Sequence, residues 1–283
     1  MTIHPIEAGH FKLDGGAMFG VVPKSIWNKT NPADSNNRIE MASRCLLIED
    51  QNRLVLIDSG MGNKQSEKFF SYYDRFEDYD LLSSIHAAGF GPDEITDVLF
   101  THLHFDHCGG AFAQDAQGKA YPLFKNAQYW VHENHWNWAT DPNPREKASF
   151  LASNLEPIEQ SGQLNLISAV GDRIQTPLGF DVFLMDGHTE KQMLPIFNYK
   201  GRTVVYAADL VPTIGHIPLA YVMGYDVRPL QTMREKADFL EMAVKNDFLL
   251  MLEHDPKHEL VSLQTTEKGV RLKEHAPFKS FFT

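Results

Sequence analysis

The sequence predicts an α/β protein with two β-sheets covered by helices. Three observations carry that expectation. Short runs of branched and aromatic residues recur between turn signals and read as strands. Other segments carry apolar residues at helical spacing. The strands come in sheet-like runs with helices between them, which points to two covered sheets.

Residues 44–49 (RCLLIE) and 53–58 (RLVLID) are two apolar runs around Asp50-Gln51-Asn52, a hairpin signature. Residues 66–76 and 81–88 have helical spacing, and Gly89 and Gly91 stop the second. Residues 97–101 (DVLFT) form a short buried strand, and residues 128–132 (QYWVH) form another. Residues 133–139 follow as a helix, with His132 and His135 read as surface residues. Residues 141–157 hold three prolines and are expected to be loop. Strands follow at 180–185, 194–199 and 203–208, the last two joined by Lys200-Gly201. Residues 232–245 form a helix with Met233, Ala237, Leu240 and Val244 on one stripe, and residues 248–253 (FLLMLE) a final apolar strand. No linker rich in Pro, Gly or Ser interrupts the chain. A single domain over 1–283 is expected, with 1–40 as an N-terminal extension near the mouth of the active site.

The chain has 283 residues, long enough for a sizeable core without covalent staples. Its two cysteines cannot build a disulfide framework or an all-cysteine zinc site. Cys45 and Cys108 read as reduced thiols, Cys45 as a small core residue. Lys and Arg total 26 against 37 Asp and Glu, a net charge of −11 without the basic footprint of a nucleic-acid binder. No apolar run is long enough to span a bilayer, and residues 1–13 lack the apolar segment of an export signal. The expectation is a cytoplasmic protein without nucleic-acid or membrane partners.

The chemistry concentrates in Thr101-His102-Leu103-His104-Phe105-Asp106-His107-Cys108-Gly109-Gly110. Three imidazoles and a carboxylate lie within six residues, directly after a strand. His102 and His104 project to the same side of an extended segment. Asp106 and His107 follow after the chain bends and can face a second point. A divalent ion needs three or four ligands, so four donors split between two directions suggest two ions completed from elsewhere. His188, Asp209 and His254 each follow an apolar strand. Loops at strand ends are where a rigid scaffold places functional groups.

The HxHxDH run with its later His, Asp and His resembles the metallo-β-lactamase-fold hydrolases, over roughly residues 40–260. The resemblance implies an αββα sandwich with a dinuclear site in the cleft between its two sheets. His102, His104 and His188 would bind the first metal, and Asp106, His107 and His254 the second, with Asp209 bridging both. Asp58 would orient a metal-binding histidine. Asp at 209 differs from the Cys usual in true β-lactamases of this fold. His104 stands where flavodiiron proteins place Glu. The short stretch after His254 and the acidic charge set aside the glutathione thiolester hydrolases and the processing nucleases.

The segments 13–24 and 208–219 are similar to the N-acyl-homoserine lactonases, in particular the quorum-quenching YtnP-like group. That likeness implies a lactone or other small-molecule ester as substrate and two divalent ions, zinc first, with iron, manganese or cobalt compatible. Asp106 and Asp209 would serve catalysis, Asp106 by relaying a proton to the leaving oxygen. One departure is Pro212, where several lactonases carry a Tyr contacting the substrate carbonyl; His216, Tyr221 and Tyr225 are the candidates to replace it. Met18, Phe19, Trp27 and Trp136 are candidates for an apolar wall receiving an acyl chain. The apolar segment around Met18 and Phe19 also suits a homodimer. Competing readings are a phosphotriester hydrolase like the methyl parathion hydrolases and a non-catalytic metal-binding protein.

Overall fold

The computed structural model describes residues 1–282. The chain divides into two compact units, one of residues 1–10 and 43–170, the other of residues 11–42 and 171 onward.

A six-stranded sheet belongs largely to the first unit. Its strands are β1 (Thr2–Asp14), β2 (Arg38–Asp50), β3 (Arg53–Ile57), β4 (Asp97–Leu99), β7 (Gln128–His132) and β8 (Leu164–Ile167), in spatial order β1-β2-β3-β4-β7-β8. A separate hairpin joins β5 (Phe112–Gln114) to β6 (Ala120–Pro122). The unit boundaries fall inside β1 and β2. β2 and β3 form the expected antiparallel hairpin, with Asp50 opposite Arg53 and Gln51 at φ 52° in the two-residue turn. β3, β4, β7 and β8 are parallel, Ile57 pairing with Leu99 and Leu99 with Trp130. Alternate residues Leu54, Leu56, Val98, Phe100, Tyr129 and Val131 share a core with Leu81 and Ile85, Trp136 and Ala139, and Leu155 and Ile158 of three helices. These helices are Leu81–Ala87, Glu133–Thr140 and Ala152–Gln160.

The second unit holds seven strands: β9 (Arg173–Gln175), β10 (Asp181–Met185), β11 (Gln192–Tyr199), β12 (Arg202–Tyr206), β13 (Leu249–Met251), β14 (Leu260–Thr266) and β15 (Gly269–Ala276). Their spatial order is β15-β14-β13-β12-β11-β10-β9. β12 and β13 are parallel, and all other neighbours are antiparallel. β10, β12 and β13 therefore run in the same direction. Phe239, Leu240 and Ala243 of the helix Pro229–Lys245 pack with Leu194, Val205, Leu250 and Val261 of the sheet.

Several elements differ from expectation. The N-terminal segment contains the thirteen-residue strand β1, whose mixed burial hides the alternation that marks a strand. The segment predicted as loop includes the helix Ala152–Gln160 despite Pro157, which cannot donate to the carbonyl four residues back. The helix predicted over 66–76 is only Glu67–Ser71, capped by the Ser66 hydroxyl accepting from Phe69 N–H. The buried face of Pro229–Lys245 runs through Thr232, Lys236, Phe239, Leu240 and Ala243, rotated from the predicted stripe. Lys236 can sit inside because its ammonium donates to the carbonyls of Pro218 (3.1 Å) and Tyr221 (2.8 Å). β14 and β15, a final hairpin, lie beyond the last strand read from the sequence. No helix among the described residues is long and apolar enough to cross a membrane.

Candidate metal centre

Parallel pairing fixes where the first ligands emerge. β3 and β4 end side by side, and Asp58 N–H donates to the Leu99 carbonyl at 2.9 Å. His102 is the third residue past β4. Asp58 adopts φ 57°, a left-handed conformation that Asp tolerates better than most side chains. Its carboxylate then accepts Thr101 N–H (2.7 Å), the Thr101 hydroxyl (2.7 Å) and His107 Nδ1–H (3.1 Å). The orienting role implied for Asp58 thus has a geometric basis, and the ring it addresses is His107.

The hydroxyl and carboxylate partners favour one assignment of the ring hydrogens of His102 and His104. Thr101 gives its one hydroxyl proton to Asp58, so its oxygen accepts from His102 Nδ1–H at 3.1 Å. His102 Nε2 is left as the acceptor nitrogen. His104 Nε2 faces the Glu146 carboxylate at 3.3 Å, so that nitrogen carries the hydrogen and Nδ1 the lone pair. His102 Nε2 and His104 Nδ1 then meet at 3.0 Å, lone pair to lone pair. Such an approach favours a metal ion or a proton between the two nitrogens. Asp106 lies in the short helix Phe105–Cys108, its Oδ2 3.9 Å from His107 Nε2. All four motif residues are buried.

In the second unit, His188, Asp209 and His254 are each the third residue past β10, β12 and β13. β12 and β13 are in register, Tyr206 pairing with Met251, so Asp209 and His254 leave the sheet at the same end. The two Asp209 carboxylate oxygens lie 3.0 Å from His188 Nε2 and 3.0 Å from His254 Nε2. Each ring is held from behind: His188 Nδ1–H by Asp226 at 2.9 Å, His254 Nδ1–H by the Ala42 carbonyl at 2.7 Å. Both Nε2 atoms therefore point at Asp209. Burial works against charge on His188, but the pull of Asp209 and its hydrogen bonds with Asp209 and Asp226 overcome that and raise its pKa to about 10. The place where Asp209 meets His188 thus favours a positive charge. Ala208, next to the carboxylate, sits at φ 40°, a strained conformation for a residue with a Cβ. In both units the donor set fits divalent metal ions: imidazoles, each held at its other ring nitrogen, beside the carboxylates of Asp106 and Asp209.

Several holding groups have no local signature in the sequence. Glu235 accepts the N–H groups of Asp186 and Gly187, both at 2.9 Å, and so grips the loop of His188. Asp226 takes Met223 N–H at 3.2 Å besides the ring of His188. His132 and His135 are buried rather than on the surface. His132 Nδ1 accepts Asn134 N–H (3.2 Å), and His135 Nε2 accepts Leu103 N–H (2.8 Å), holding the loop between His102 and His104. Cys108 is a buried thiol donating to the Leu103 carbonyl at 3.4 Å, and burial pushes it up to about 12. It has no thiolate to offer near neutral pH.

Met18, Phe19, Trp27 and His216 lie together and buried in the second unit. Phe19 stacks on Trp27 with centroids 5.3 Å apart and on His216 at 4.3 Å. His216 donates from Nε2 to the Met18 carbonyl (2.8 Å), and its Nδ1 meets the Thr213 hydroxyl at 2.8 Å. Burial drives its pKa to about 3. Tyr221 is half-buried and Tyr225 exposed. Trp136 belongs to the core of the first unit.

Residues 38–257 match the metallo-beta-lactamase superfamily, and the chain belongs to it. Its fold class is the αββα sandwich that the motif implies. A probable metal-dependent hydrolase from Staphylococcus aureus is 28% identical, covering 98% of each chain with a TM-score of 0.85. AidC, a dizinc quorum-quenching lactonase solved with the product N-hexanoyl-L-homoserine, is 20% identical over 98% of this chain and 95% of its own, with a TM-score of 0.79. An N-acyl homoserine lactone hydrolase with the same product at its catalytic metal centre is 16% identical, covering 90% and 93%, with a TM-score of 0.66.

Proposed function

We propose that the two ligand sets close on one dinuclear centre and that this metal-dependent hydrolase opens the lactone ring of N-acyl-homoserine lactones. The observation that carries the metal reading is the convergence of imidazole nitrogens and a carboxylate on places that favour a positive charge. His102 Nε2 faces His104 Nδ1, and both Asp209 oxygens face imidazole nitrogens whose opposite ends are already committed. Zinc is the expected ion, as in the dizinc lactonase of the same fold. Bound divalent ions supply a Lewis acid for the carbonyl oxygen and lower the pKa of water into the neutral range. Asp209, with one oxygen toward each histidine, would hold both ions. Asp106 receives a proton at a carboxylate oxygen and returns it to the departing ring oxygen. Of the candidates to contact the substrate carbonyl, Tyr221 and Tyr225 keep accessible surface and His216 does not. Met18, Phe19 and Trp27, packed with His216 inside the second unit, would support an acyl-binding wall from within rather than meet the acyl chain directly.

Pro212 at the position of the lactonase Tyr favours a second reading, a hydrolase of other esters or phosphotriesters. The test is a substrate panel on metal-quantified protein: N-acyl-homoserine lactones of several chain lengths, aryl esters and phosphotriesters. Lactone turnover at two ions per chain is expected. Inert lactones beside active phosphotriesters would move the assignment to the second reading, and wild-type turnover in Asp209→Ala would sink the metal mechanism.

A further inference from the structure

The buried carboxylate of Glu146 has no part in the ligand set, yet it faces one of the rings. Only 2% exposed, it sits between the helices Glu133–Thr140 and Ala152–Gln160. Its Oε2 accepts Trp138 Nε1–H at 2.7 Å and Asn143 Nδ2–H at 2.6 Å. Its Oε1 faces His104 Nε2 at 3.3 Å. A buried carboxylate with two donors on one oxygen is fixed in orientation, so the other oxygen is an acceptor aimed at one atom.

We propose that Glu146 is the positioning residue that makes His104 coordinate through Nδ1, whereas His102 presents Nε2; this rests on the dinuclear reading above. An imidazole has one hydrogen-bearing and one lone-pair nitrogen, and the choice between them is worth little without a partner. Here the choice decides whether His104 is a ligand at all. With the hydrogen on Nδ1, His104 would hydrogen-bond to His102 Nε2 at 3.0 Å and close the first ion's place with a proton. Glu146 draws the hydrogen to Nε2 and removes that competing state. The surrounding chain fixes the geometry on the same side. Leu103 N–H is held by His135 at 2.8 Å, and Phe105 N–H donates to the Ser149 carbonyl at 2.9 Å, three residues after Glu146. The ring itself lies against Phe150, centroids 4.8 Å apart. Residues 135–150 thus hold His104 from behind at backbone and ring alike, and Glu146 brings a carboxylate to that grip.

The test uses the full chain as wild type, Glu146→Leu and Glu146→Gln, each loaded with zinc and titrated against a chromophoric chelator. Nitrogen-15 NMR of the imidazoles reads the tautomer of His104. Wild type should bind two ions, with His104 protonated at Nε2. Glu146→Leu should lose one of the two ions' affinity by about 10- to 100-fold, the other staying unchanged. Glu146→Gln should fall between, since its amide oxygen can still accept from His104 while its NH2 meets the Trp138 and Asn143 donors. If Glu146→Leu does not fold, the Gln variant alone decides. Equal affinity and tautomer in wild type and a folded variant would overturn the positioning role. Wild type that binds no zinc would instead overturn the dinuclear reading, whatever the variants do.

Discussion

His216 shows how thoroughly a buried imidazole can be removed from proton chemistry. Both ring nitrogens are committed, to Met18 and Thr213, and Phe19 stacks on its face. Burial lowers its pKa from the ordinary 6.5 to about 3. The sign of the stability effect follows from the proton count. Between pH 6.5 and 3 the unfolded chain holds a proton on this ring that the folded chain does not, so stability falls as the pH drops. The contribution is fully present above 6.5 and is lost toward 3, at up to about 1.4 kcal/mol per pH unit. His216→Gln should therefore show a shallower decline in urea midpoint between pH 6.5 and 4.5 than wild type. Parallel declines would mean that the ring is not held neutral. The same residue marks a limit of sequence reading. A histidine near other ligand types looks functional by composition, and only its two partners, one of them 198 positions away, reveal a packing role.

At the scale of elements, the proposed ligands stand out in the sequence because β-structure places them by a local rule. His102, His188, Asp209 and His254 each stand three residues past the end of an apolar strand. The groups that hold them do not, because they come from distant segments. Glu146 lies 42 residues from His104, and Asp226 lies 38 from His188. β1 was missed for a related reason: its burial follows no strict alternation. The loop after β10 gives an element-scale prediction. A Cβ on Gly187 would overlap the backbone nitrogen and Oγ1 of Thr232 in the helix Pro229–Lys245. Gly187→Ala must push the loop off that helix, against the grip of Glu235 on the Asp186 and Gly187 N–H groups. We expect a loss of about 1–3 kcal/mol in thermal or urea unfolding, together with weaker metal binding, since His188 is the next residue. A variant with unchanged stability would show that the loop is not packed as described.

For the whole molecule, the proposed centre draws His102, His104, Asp106 and His107 from one unit and His188, Asp209 and His254 from the other. Each unit has its own apolar core, one around the helices Leu81–Ala87, Glu133–Thr140 and Ala152–Gln160, the other around Pro229–Lys245. Burial of those cores stabilises each unit by itself, while the facing lone pairs and the Asp209 carboxylate work against folding until a cation arrives. Metal binding should therefore be a large share of the molecule's stability. At a free ion concentration of about a hundred times Kd, linkage contributes about 2.7 kcal/mol per site. Removing the ions with a chelator should lower Tm by several degrees in calorimetry. Adding zinc back should restore Tm in wild type. It should do so much less in Asp209→Ala, where the oxygens facing His188 and His254 are gone. A chelator-insensitive Tm in protein that demonstrably carried two ions would show that the ligand sets are assembled by packing alone, and would leave the ions a role in chemistry but none in holding the fold.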